Sequence, residues 1–265
     1  MRRWAGMLVL ALGCGDAEPD ALDEDTVAPL ARSAGDQVAL VVADRVGRDP
    51  LVGEPECALT VQVGEATASG AAGGEGACWT TDAPFDLRDG YAPLDGGTLD
   101  LRIGSSVDRI TVDGSAVAGP LAYECARLES AASVGVVSVA GESPNDVLGA
   151  FEGDIPLMAI PTLSAPVENS PGYARWGTGD LALTWNGGLG DAVEVVVAPE
   201  AGGTAVRCSV ADDGSFDVPG ELLEGLRSER AILRVARVGL ERRTVDGVQV
   251  RLASRSATER VMLPF

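Results

Sequence analysis

The side chains able to do chemistry in this 265-residue chain are few in kind: five cysteines, forty acids and twenty arginines, with no histidine and no lysine. Without histidine there is no Ser-His or Cys-His nucleophile and no imidazole metal ligand, and without lysine no Schiff base or P-loop. Carboxylate chemistry and oxygen-ligated calcium remain. A glycosidase-like hydrolase needs an acid and a base several ångströms apart across a cleft. With forty acids some pair is always close, so abundance selects none. The chain therefore reads as non-enzymatic and without cofactor, a carboxylate-dependent hydrolase being the alternative. Asp212-Asp213-Gly214-Ser215-Phe216-Asp217 superficially offers a calcium loop. An EF-hand needs ligands at alternate positions, two of which are Gly214 and Phe216 here. A two-residue Asp-Gly hairpin turn fits better, with Phe216 and Val218 facing the core.

Cys57, Cys78, Cys125 and Cys208 contain no Cys-x-x-Cys spacing and read as disulfide-forming rather than metal-binding. Of three full pairings, Cys57 with Cys78 is favoured, because both lie in the first half and close a moderate loop. Cys125 and Cys208 then pair with each other or stay reduced and buried.

Cys14 stands apart. Arg2 and Arg3 precede an uncharged stretch over residues 4–12, too short for a spanning helix but the length of a signal h-region. Leu10-Ala11-Leu12-Gly13-Cys14 then resembles the bacterial lipobox, with Ala11 where the family more often has Leu. That resemblance implies cleavage after Gly13 and a diacylglyceryl group on Cys14. It places the mature chain on a bacterial envelope, with the outer membrane as the expected leaflet. Two or three acyl chains, at about 0.8 kcal/mol per buried methylene, make a lasting anchor.

Thirty-four glycines and fifteen prolines between short Val, Leu, Ile and Thr runs describe an all-β protein. After the signal peptide (1–13), residues 14–34 hold the lipidated cysteine and an acidic, poorly apolar tether, expected disordered, with a coil reach of about 25 Å. Strands are expected at 37–42, 57–63, 98–103, 108–112 and 134–139, giving a β-sandwich over 35–155. Residues 156–178 are Pro-rich and read as a linker. A second sandwich over 179–265 rests on Leu181, Leu183 and Trp185 sharing one face, and on the same alternation at Val206, Cys208 and Val210. Further strands are expected at 192–198, 231–238, 248–252 and 259–263, with a helical turn opened by Pro219. Both domains are expected to be immunoglobulin/fibronectin-like.

The runs Asp180-Leu181-Ala182-Leu183-Thr184-Trp185, Val206-Arg207-Cys208, 212–219 and Leu222-Leu223, with Gly149-Ala150-Phe151 upstream, are similar to an uncharacterised bacterial lipoprotein family. The resemblance implies two β-sandwiches behind a lipid anchor and carries no activity or site residues.

A formal charge of -20, becoming -22 once Arg2 and Arg3 leave with the signal, argues against nucleic acid as a partner. Residues 225–265 reverse the trend, with nine arginines against Glu229, Glu241, Asp246 and Glu259. Outward strand positions would make these a solvated face, with acidic glycan or lipid headgroups as a sharper possibility. A glycan-binding module would need an exposed aromatic, for which Trp79 and Trp176 are the candidates. Phe265 resembles the terminal aromatic of an outer-membrane barrel, but Pro264 and the absence of repeated lipid-facing strands count against that.

Overall fold

The computed structural model describes residues 38–47, 56–66, 78–82, 91–113, 121–138, 152–188, 190–245 and 248–264. Cys14, the tether and Gly149-Ala150-Phe151 lie outside the described residues, so the expectations that fall on them are not addressed by it. The described chain is all-β. In order it runs β1 (Val38–Gly47), β2 (Glu56–Ala66), β3 (Cys78–Thr81), β4 (Tyr91–Pro93), β5 (Asp95–Ile103), β6 (Ser106–Asp113) and β7 (Leu121–Glu124). Helix α1 (Cys125–Glu129) precedes β8 (Ser133–Ser138), β9 (Glu152–Pro156), β10 (Leu163–Ala165), β11 (Glu168–Ser170), β12 (Tyr173–Arg175) and β13 (Leu181–Trp185). Then come β14 (Ala192–Pro199), β15 (Ala205–Val210), β16 (Ser215–Val218), α2 (Gly220–Leu223), β17 (Ala231–Val245) and β18 (Val248–Leu263). No helix among the described residues is long and apolar enough to cross a membrane.

One large sheet runs β3-β15-β14-β17-β18-β1-β2-β4, with β7 also on β2 and β12 also on β18. Two smaller sheets, β6-β5-β8-β9 and β10-β13-β16, complete the architecture. The hairpin β17–β18 pairs over its whole length, from Ala231 with Met262 to Val245 with Val248. Strand β1 lies parallel to β18 from Val38 with Gln249 to Gly47 with Thr258, and β12 takes over at Val261. The sheet is thus continuous across residues 156–178, where composition suggests a boundary between domains.

Cross-strand partners point to the same side of a sheet, and positions two apart share a face. Leu233, Val235 and Met262 face one core, with Trp176, Leu183, Trp185, Val195, Val206 and Cys208. By the same parity Val250 and Leu252 face a second core, with Val41, Leu59, Val61, Leu101, Val136 and Ile155. Both cores therefore sit under one face of the large sheet, each closed by one smaller sheet in sandwich-like packing.

Between them the segment that reads as a linker is a packed strap. Leu157 is buried in one core and Leu163 in the other. The intervening residues pass close over the sheet at two glycines. A Cβ at Gly239 would overlap Met158, and one at Gly47 would lie 2.8 Å from Ile160 Cδ1. Glycine in a strand usually weakens it, and here the missing side chain is what makes room for the Met158 and Ile160 side chains.

Other expectations fare variously. Trp185 is core, and Pro219 opens the helical turn α2. Gly214 has φ 100°, as an Asp-Gly turn requires, and Phe216 and Val218 face the core. The turn is not a hairpin, however, because β15 belongs to the large sheet and β16 pairs with β13. The cysteine pairing also differs. Cys57 bonds Cys125, and Cys78 bonds Cys208, instead of Cys57 with Cys78 and Cys125 with Cys208. Sheet topology explains the exchange: β3 is the edge partner of β15, with Cys78 directly opposite Cys208, and β7 brings the start of α1 beside β2.

Valine at 239 should cost about 1–3 kcal/mol through overpacking against Met158. Urea unfolding of Gly239→Val should show that loss, and adding Met158→Ala should recover part of it. An unchanged midpoint would contradict the close crossing.

Candidate functional site

The arginine-rich stretch forms the most distinctive chemical grouping in the described chain, and five of its nine arginines lie inside. Arg234, Arg237, Arg251, Arg255 and Arg260 are buried, as are Arg45 and Arg207. This corrects the solvated basic face: acidic glycans and lipid headgroups cannot reach these five guanidiniums. A buried arginine is tolerable only if its donors are satisfied, since a guanidinium has five N–H groups and carries its charge throughout.

On the core side, three arginines grip the strap. Arg45 Nη1 donates to Leu128 O at 2.8 Å and Ala131 O at 3.0 Å, its Nε donates to Ser256 Oγ at 3.2 Å, and Nη2 donates to Met158 O. Burial, partly offset by the charge of Glu129, pulls this guanidinium down to about 10, still protonated at neutral pH. Arg237 donates from Nη1 to Ala159 O at 2.8 Å and from Nη2 to Asn186 O at 2.6 Å, while Nε meets Asp212 Oδ2 at 2.6 Å. Arg260 donates to Leu163 O at 2.7 Å, to Pro166 O and, at 3.1 Å, to Glu168 Oε1. Residues 158–168 are thereby tied to β1, β17 and β18 in succession.

The opposite face carries an alternating charge chain. Arg207 Nη2 lies 2.6 Å from Glu194 Oε1, and Arg255 reaches Glu194 at 3.4 Å and Asp44 at 3.1 Å. Arg234 pairs with Asp44 and, at 3.7 Å, with Glu259. Ala236 and Ala257 are buried on this same side, which leaves room for long side chains to bridge over β17 and β18. Arg207 is lowered by burial, with Glu194 opposing that shift.

The carboxylates follow the same logic. Asp44, Glu194 and Asp212 have side chains no more than 4% exposed, and each faces a guanidinium. At Asp212 burial pushes the carboxyl up. Hydrogen bonds from Arg237, from Trp185 Nε1 at 2.8 Å and from the Gly190 N–H at 3.1 Å, with the charge of Arg237, outweigh that and hold it below its usual value. A general acid needs the opposite shift. Asp212 is thus a counterion, a role that the calcium-loop comparison did not suggest.

A shallow groove of about 310 Å³ opens beside the β14–β15 turn, lined by residues that include Thr80, Pro199, Thr204, Leu222, Leu226 and Glu229. Glu229 is its one ionisable side chain, and the same residue also lines a more open groove with Glu200, Ala201 and Arg230, where Arg230 Nε lies 2.9 Å from Glu200 Oε2. Trp176 is buried, its indole N–H donating to Glu229 O at 3.3 Å, whereas Trp79 is half-buried on edge strand β3. Cys57, Cys125 and Glu129 bring two sulfurs and a carboxylate oxygen within 4.8 Å of one another, with both sulfurs joined in the disulfide.

No known protein family matches this chain, and no curated protein matches it. Among solved structures it is similar to one described under host cell surface retention of a 1.5-MDa bacterial ice-binding adhesin, at 13% identity and a TM-score of 0.23. The likeness covers 87% of this chain and 66% of that one, so this chain spans just under two thirds of its length. So loose a likeness carries no argument about fold detail or activity.

Arg237→Met should destabilise the chain by about 3–5 kcal/mol, because it strands Asp212 as a buried uncompensated charge. The pH dependence has a definite sign. A carboxyl whose folded pKa lies below its unfolded value stabilises above the ordinary aspartate range near pH 4, and that stability is lost as pH falls through the folded pKa. Without Arg237 the carboxyl loses both a hydrogen bond and a charge that favour its ionised form, so the variant's deficit should be largest above the ordinary aspartate range, and chemical unfolding across pH should show it narrowing as pH falls and Asp212 protonates. Parallel profiles would contradict this role for Asp212.

Proposed function

We propose that the chain is a lipid-anchored, non-enzymatic binding or structural module of the bacterial cell envelope, held at the outer membrane through Cys14. The carrying observation is a cysteine count. Of five cysteines, four are consumed in two disulfides, and the one left over is the acceptor position of the lipobox-like Leu10-Ala11-Leu12-Gly13-Cys14. Disulfides fit an oxidising, exported setting, and a thiol outside them suits acylation.

The non-enzymatic part of the reading is supported by the pairing of Asp44, Glu194 and Asp212 with arginine. The immunoglobulin/fibronectin-like reading of the two halves belongs to the same proposal. Two cores, each between two sheets, favour it, while the shared hairpin β17–β18 argues against two separable modules. Contact with a protein or glycan partner would fall to loops at the sheet ends, since Arg234, Arg237, Arg251, Arg255 and Arg260 are withdrawn from solvent.

Mass spectrometry of the protein extracted from membranes, beside a Cys14→Ser variant, tests the anchor. An N-terminal peptide starting at Cys14 with acyl mass, absent from the variant, is the expected result. A chain starting elsewhere and free of lipid would overturn the reading.

A further inference from the structure

We propose that Cys57, Cys125 and Glu129 form a binding site for a thiophilic divalent cation of the Zn²⁺ class when their disulfide is reduced. This does not rest on the lipid anchor. The two sulfurs and a Glu129 carboxylate oxygen already lie within 4.8 Å of one another. Cys125 and Glu129 stand at the two ends of the single turn α1, four residues apart and so on one face, while Cys57 comes from the neighbouring strand β2. Tetrahedral Zn²⁺ takes thiolate at about 2.3 Å and carboxylate at about 2.0–2.2 Å, with a water completing three protein ligands. Reduction breaks the sulfur–sulfur bond and lets the two sulfurs separate to the spacing of two tetrahedral ligands, with the Glu129 carboxylate beside them.

Access and charge also fit. Glu129 is exposed and Cys125 half-buried, giving an entry path from solvent, while Cys57 is 1% exposed and anchors the site from within. The Arg45 guanidinium lies alongside, with Nη1 at 3.4 Å from Glu129 O. Two thiolates, one carboxylate, one divalent cation and Arg45 sum to zero charge, as a largely buried group requires. Among the described residues the second disulfide, Cys78–Cys208, has no such carboxylate beside it, so it serves as an internal control.

Opening the site is thiol–disulfide exchange with a dithiol reductant. One reductant thiolate bonds to Cys125 Sγ and breaks the sulfur–sulfur bond, and Cys57 leaves as thiolate. The second reductant thiol then resolves the mixed disulfide, leaving as a cyclic disulfide while both cysteines end reduced. Cation binding displaces the two thiol protons. The disulfide is then the closed form of the site and the bound cation its alternative cross-link, each fixing α1 against β2.

The full-length chain carrying Cys14→Ser, reduced with a dithiol and freed of it, would be titrated with Co²⁺ as the probe. The reduced chain should take up one Co²⁺ with thiolate-to-cobalt charge-transfer absorption, and the oxidised chain should take up none. Glu129→Gln alters only an exposed side chain and should weaken Co²⁺ binding by about tenfold or more. Cys57→Ser with Cys125→Ser should abolish the band. The proposal fails if the reduced chain gives no such band, if Glu129→Gln binds equally well, or if the band survives in the double serine variant. It also fails if the reduced chain loses its β-sheet circular dichroism.

Discussion

A guanidinium buried in a β-sheet must find partners for five donors, and since the ladder already occupies the neighbouring carbonyls, these must come from polar side chains or from another stretch of backbone. On the core side most of them come from outside the ladder. In this protein the backbone of residues 158–166 supplies some of them, meeting Arg45, Arg237 and Arg260 as it crosses from one core to the other. Gly47 and Gly239 make the approach sterically possible, and Asp212 neutralises the middle arginine. Strap, glycines and counterion are each costly without the others. Together they turn a polar belt between two apolar cores into a fixed joint.

The opposite face solves the same difficulty by alternation of charge. Arg207, Glu194, Arg255, Asp44 and Arg234 follow one another across five strands. Such networks are weak evidence for added stability, since desolvation offsets most of the attraction, yet they penalise any misregistered pairing. With seven arginines withdrawn and Asp44, Glu194 and Asp212 buried against them, the residues outside this set are more acidic than the overall charge of -20 conveys.

Much of the fold was legible because apolar alternation reports a buried face directly: Leu181, Leu183 and Trp185, or Val206, Cys208 and Val210, could hardly sit otherwise. The full extent of β17 and β18 was not. Their arginines read as solvent-facing, and Gly239 reads as a strand end. One signal was available in the residues. Leu233, Val235, Ala236 and Val238 put apolar side chains on both faces of β17, which leaves no solvated face for Arg234 and Arg237. The strap was hidden for another reason: prolines interrupt ladder pairing, leaving only the short strands β10, β11 and β12 in this segment, and composition does not distinguish a free linker from one held by distant side chains. Disulfide partners depend on which strands lie side by side, and β3 beside β15 is a contact between residues 130 apart in sequence. The cluster of Cys57, Cys125 and Glu129 was invisible for the same reason.

If one sheet and its arginine joint bind both cores together, the two halves cannot unfold separately. Scanning calorimetry of the full-length chain carrying Cys14→Ser measures this directly, by comparing calorimetric and van't Hoff enthalpies. A single transition with the two enthalpies equal is the expected result. Two resolved transitions, or a calorimetric enthalpy well above the van't Hoff value, would show the halves melting as independent domains and would contradict the joint.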